Sequence, residues 1–162
     1  MKKILPAALM LSSAGLPGFS NQDIQQKDFI GAWELVSVES IAQDNTVTYP
    51  YGEHPLGEMM IDGEGNYMVE IYTRSRAKIV SGSKSSATPE ENVMMVKGSN
   101  AHYGKFVADV EAKTLTYKPE GAFFPNWEGQ ELKSTFTLED GVLKSYSVNT
   151  TFGAARAIVT WQ

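Results

Sequence analysis

From Trp33 onward the chain is cut into short runs of alternating apolar and polar residues, and turn-forming residues separate the runs. A period of two residues puts successive side chains on opposite faces of a strand, so the rhythm points to an all-β fold. Eight such runs are expected, at 33–41, 58–62, 67–74, 103–110, 114–119, 132–138, 142–149 and 155–161. Asp62-Gly63-Glu64-Gly65-Asn66 and Asp140-Gly141 are tight hairpin signals, because glycine takes positive φ without strain. Glu111-Ala112-Lys113 is a further short turn. Strands that follow one another through short turns form an antiparallel meander, and a meander with one buried face removes its exposed edges by closing. The expectation is an eight-stranded antiparallel up-and-down β-barrel, with a β-sandwich as the alternative.

One segment breaks the rhythm. Thr88-Pro89-Glu90-Glu91 combines an N-cap, a proline in the first turn and a capping-box glutamate. It predicts one short helix ending near Gly98, inserted between the third and fourth long strands and placed across one mouth of the barrel. Residues 42–57 read as a loop, punctuated by Pro50, Gly52, Pro55 and Gly57, with a short edge strand within Thr46-Val47-Thr48-Tyr49. The first run leaves its orientation open. Trp33, Leu35, Ser37 and Glu39 lie on one face and Glu34, Val36, Val38 and Ser40 on the other, with a charge on each.

At 162 residues there is room for one domain and one core. Met1-Lys2-Lys3, the apolar stretch Ile4 to Leu11 and the small residues after it have the three parts of a secretory signal peptide. The stretch is too short to span a bilayer. Cleavage after Ser20 is preferred over cleavage after Ala14, because the polar Asn21-Gln22-Asp23 begins there. The expected organisation is a signal peptide at 1–20, a flexible lead-in at 21–28 and the barrel domain at 29–162, in a periplasmic or secreted protein. Beyond Ser20 there are 12 basic and 19 acidic residues, a net charge of −7. An acidic chain without basic clusters is a poor partner for nucleic acid or an anionic membrane. With no Cys, neither disulfides nor thiol chemistry is available.

The ordered segments Gly31-Ala32-Trp33-Glu34-Leu35-Val36-Ser37, Thr48-Tyr49-Pro50-Tyr51-Gly52, Pro55-Leu56-Gly57, Thr88-Pro89-Glu90-Glu91, Tyr103-Gly104-Lys105-Phe106 and Phe124-Pro125-Asn126-Trp127-Glu128-Gly129 resemble the bacterial and fungal lipocalin-like domain family. The likeness runs from about residue 29 to Trp161. It implies a single-domain barrel with a calyx and a small, apolar ligand. It also implies that Trp33 sits at the barrel base, with Arg156 packed over its indole as a cation–π pair.

Seven Tyr, seven Phe and three Trp suit both strands and an apolar pocket. Tyr67, Tyr103, Phe106, Tyr117, Phe124, Trp127 and Phe136 are the candidate ligand-binding residues, and Tyr146 is expected inward with the other strand aromatics. Phe123, Phe124 and Trp127 crowd one loop around Pro125, which demands burial against protein or ligand. His54 and His102 lack neighbours at metal-ligand spacing, so no metal or cofactor is expected. No nucleophile elbow or phosphate-binding glycine loop is present, and no catalytic residue is assigned. Three readings stand at this point. They are a barrel that binds or carries a small apolar molecule, a barrel-cavity isomerase or cyclase using His102, Tyr103 or Glu70, and a solid-core interaction domain. Glu70 and Arg74 share a face expected to point outward.

Overall fold

The structure, a computed structural model, describes residues 24–148, 150–151 and 153–162. The expected signal peptide and the start of the lead-in lie outside the described residues. Nine strands form one antiparallel sheet: β1 (Gly31–Ile41), β2 (Val47–Thr48), β3 (Leu56–Ile61), β4 (Asn66–Tyr72), β5 (Ser99–Asp109), β6 (Thr114–Ala122), β7 (Leu132–Glu139), β8 (Val142–Val148) and β9 (Arg156–Trp161). Each long strand pairs with the next in sequence, and β9 returns to pair with β1. Eight strands therefore close into a barrel, while β2 only extends the end of β1 through Ser40 and Ile41.

β1 closes the barrel by splitting its partners. Gly31 to Glu34 pair with β3, and Leu35 to Ile41 pair with β9. Between Leu35 and Ser37 the register slips against Trp161 and Thr160, which makes Val36 a bulge residue. The bulge also settles the orientation that alternation alone left open. Trp33 and Leu35 point inward before it, and Val38 and Ser40 after it, so the buried set crosses from one expected face to the other. Val36 remains exposed, and each face's charge, Glu34 or Glu39, stays out of the core.

The two ends of the barrel differ. Short hairpins at 62–65, 110–113 and 140–141 join the strands at the base. Long segments at 42–55, 73–98, 123–131 and 149–155 join them at the other end. The base is plugged from below. A 3-10 turn, Gln26–Phe29, lays Phe29 edge-on against Phe136 with ring centroids 5.1 Å apart, and against Phe106 at 5.8 Å. Trp33 Nε1–H donates to the Phe29 carbonyl at 2.9 Å, and the Ala108 backbone N–H donates to Gln26 Oε1 at 2.9 Å. The lead-in is thus a structured plug from Gln25 onward, because Phe29 has apolar surface to bury.

Arg156 does not cap Trp33. It starts β9 opposite Ile41, at the far end of β1, and its Nη2 donates to Asn45 Oδ1 at 2.8 Å. The β9 residue near the base is Trp161, opposite Leu35. An antiparallel strand that ends beside Trp33 must begin at the opposite mouth, and Arg156 is its first residue.

The helix forms as its cap signals predict, at α1 (Pro89–Lys97), with Thr88 and Glu91 closing the capping box. None of its side chains is buried. It follows the long connection from β4 at the open end, and none of its residues lines the cavity there. Glu70 and Arg74 point outward as expected: Glu70 accepts from the Tyr72 hydroxyl, and Arg74 donates to the His54 carbonyl. Two glycines are required by close approach. A Cβ at Gly104 would overlap the Lys118 carbonyl, and one at Gly57 would lie 2.6 Å from the Glu70 carbonyl oxygen.

Two outcomes follow for stability. Phe29→Ala should cost about 3–5 kcal/mol in urea unfolding, as removal of a buried phenyl from a packed core does. Deleting Val36 should destabilise far more than Val36→Ala, because losing the bulge would turn either Trp33 and Leu35 or Val38 and Ser40 outward.

Candidate functional site

Side-chain size divides the barrel interior. At the base the inward positions carry Phe29, Trp33, Met59, Phe106, Leu115, Phe136 and Leu143, all buried and mutually packed. Towards the open end the inward positions of β7, β8 and β9 shrink to Ser134, Ser145, Ser147 and Ala157. Registered rows show the change. Leu138, Leu143 and Trp161 form a large row near the base; Ser40, Ala157 and Ser147 form a small row near the mouth. Small side chains on one wall leave a cavity of about 410 Å³, within the range of pockets that enclose one small molecule.

The cavity has two kinds of wall. Val38, Val69, Ile71, Val159 and Trp161 make it apolar on one side and at its floor. Serines of β7 and β8 give the other side hydroxyls. Three mouth loops complete the rim, through Pro50 and Tyr51, through Trp127, and through Thr150 and Thr151. No side chain of α1 lines it.

A polar cluster is built into the wall at β4, β5 and β6. Val69 pairs with His102, and Ile71 pairs with Asn100, so alternation brings both polar residues inward. The Tyr67 hydroxyl and His102 Nδ1 are 2.8 Å apart. Tyr117 packs against Tyr67 at 4.9 Å, and Trp127 meets the imidazole edge-on at 5.2 Å. Tyr117 O–H is directed at Met59 Sδ, 3.4 Å away. The Tyr51 hydroxyl, brought in by the loop before β3, hydrogen-bonds the Asn100 side chain. Burial pushes Tyr51 up to about 12 and raises Tyr67 and Tyr117 further, so all three phenols stay protonated at neutral pH. Burial lowers His102 to about 4, so its imidazole is neutral. The charged lining residues, Glu131 and Lys133, pair with each other at 2.9 Å on the exposed rim. Lys118, 2.7 Å from Glu131, and Lys133 together hold that carboxylate down to about 2.

Of the candidate ligand-binding residues, Tyr117 and Trp127 line the cavity. Tyr67 stands behind its wall and touches it through His102. Phe106 and Phe136 belong to the filled base, where they contact Phe29. Tyr103 points outward, 54% exposed, with its ring over Gly121. It lies three residues from Phe106, and an alternating strand cannot turn both the same way. Phe124 is 40% exposed and meets Trp127 edge-on, at 5.6 Å, from outside the cavity. Tyr146, between the inward Ser145 and Ser147, points outward toward the Thr137 hydroxyl. The sequence reading missed Tyr51, Asn100 and the serines. The serines were accessible by parity: Ser134 alternates with the buried Phe136, and Ser145 with the buried Leu143.

Among the described residues no three His, Cys, Asp or Glu side chains gather as metal ligands, and no helix is long and apolar enough to cross a membrane.

The His102 environment dictates a pH dependence. In the unfolded chain the imidazole titrates near its ordinary 6.5, and in the folded barrel near 4. Between those values the unfolded state binds the extra proton, so stability should fall as pH drops from 6.5 to 4 and level off below. The loss should be on the order of 3 kcal/mol. Urea unfolding at several pH values measures it, and His102→Asn should flatten that portion of the curve.

A search of curated proteins found no match to the chain. The lipocalin-like domain family matches it over residues 30–162, from the residue before β1 to the last residue. The closed eight-stranded meander, the plugged base and the open calyx agree with that match, and the chain belongs to the lipocalin-like domain family.

Proposed function

We propose that this protein is an exported barrel that binds or carries a small, largely apolar molecule in its calyx. The observation that carries the reading is the cavity of about 410 Å³ at the open end, floored by Trp161 and walled by Val38, Val69, Ile71 and Val159. A barrel meant only as a solid core would continue its large inward side chains to the mouth, whereas β8 and β9 here end inward in serine and alanine. Export rests on the basic, apolar and small-residue succession of the first 20 residues.

Native mass spectrometry of protein purified from its host should show a bound molecule, and the mature mass should correspond to cleavage after Ser20. Nile red, a neutral apolar dye, should bind and fluoresce. Ala157→Trp fills the small row between Ser40 and Ser147 and should weaken dye binding at least about 10-fold while the protein stays folded. Unchanged dye binding in that variant would place the dye elsewhere and defeat the proposal.

The isomerase or cyclase reading keeps one supporting observation, the His102–Tyr67 pair on the cavity wall. Tyr103 and Glu70, its other candidates, face outward. A neutral imidazole held near 4 is a weak base, so His102 would serve such a reaction by a hydrogen bond from its ring N–H and not by taking up a proton.

A further inference from the structure

We propose that the calyx selects an uncharged amphiphile, with one hydrocarbon face and one edge of hydroxyl or carbonyl oxygens, over a free carboxylate such as a fatty acid. The inference rests on the calyx-binding reading and adds the chemistry of its ligand. Three observations carry it.

The first is an unsatisfied hydroxyl. Ser134 lines the cavity, and its Oγ is buried with no hydrogen-bond partner among the described residues. A buried polar atom without a partner is costly, and a turn of the hydroxyl toward the cavity would let a ligand oxygen complete it. Ser145 and Ser147, on the adjacent strand, face the same space. Together they form a hydroxyl strip opposite the apolar wall of Val69 and Ile71.

The second is the imidazole. The Tyr67 hydroxyl keeps its proton and has His102 Nδ1 as its neighbour at 2.8 Å. With that proton donated to Nδ1, the ring hydrogen stands on Nε2, which has no partner among the described residues. His102 then offers one donor to an acceptor oxygen inside the calyx.

The third is charge. The charged groups on the lining, Glu131 and Lys133, pair with each other at the rim, and Glu131 also holds Lys118. Among the described residues no inward cation waits for a carboxylate, and an ionised group buried without one is strongly disfavoured. Hydroxyls and a neutral imidazole suit neutral oxygens.

Displacement of Nile red tests this with three probes of equal chain length: a vicinal dodecanediol, dodecanoate and dodecane. At pH about 8, where the acid is ionised, the diol should compete at least about 10-fold better than dodecanoate. Ser134→Ala removes the unsatisfied hydroxyl, so it should leave thermal stability unchanged or higher. The same change should weaken the diol about 3- to 10-fold and leave dodecane unaffected. Dodecanoate competing as well as the diol would overturn the proposal, as would a diol indifferent to Ser134→Ala. Either result, with Nile red still excluded by Ala157→Trp, would leave the calyx reading intact. Nile red that ignores Ala157→Trp would remove both.

Discussion

Everything in this barrel depends on a single register slip in its first strand. A closed sheet gives each strand one face for the interior, and a strand with two neighbours must satisfy both registers at once. β1 does so by pairing with β3 through its first half, with β9 through its second, and by bulging at Val36 between them. The bulge lets Trp33 and Leu35 join the base while Val38 and Ser40 reach the cavity. It also keeps Glu34 and Glu39 out of the core, where an unpaired carboxylate would be costly. Closure, base and calyx thus share one local device.

The division between base and calyx follows from volume. Aromatic and branched side chains at the lower inward positions fill the barrel to the axis, and Phe29 seals it from below. The same positions two or four residues along carry serine and alanine, and the space they do not occupy is the cavity. The packed core and the cavity therefore lie at different ends. Long connections gather at the open end, where they contribute Tyr51, Trp127, Thr150 and Thr151 to the rim without weakening the packed base.

Much of the fold was legible. Hairpin turns such as Asp140-Gly141 and the alternation of Leu132, Ser134, Phe136 and Leu138 depend on local backbone chemistry and burial, so they survive in sequence. The cap of α1 was legible for the same reason. The site was legible in part. Tyr117 and Trp127 were singled out as large aromatics and do line the cavity, whereas Phe106 and Phe136, chosen on the same ground, fill the base. Residue type does not encode height along the barrel axis. Arg156 shows the limit of a resemblance carried on one residue, since strand direction sends it to the mouth and leaves Trp161 near Trp33.

By itself the sequence determined the number of long strands, their order and turns, the helix cap and the chemical inventory: acidic, free of cysteine and rich in aromatics. Only the tertiary structure decided which face of β1 is inside, where the filled core stops and that His102, Tyr67 and Ser134 belong to one cavity region. The first set follows from φ/ψ preferences and periodic burial within a few residues of chain. The second follows from closure, which brings β1 against β9 and sets the level at which distant side chains meet.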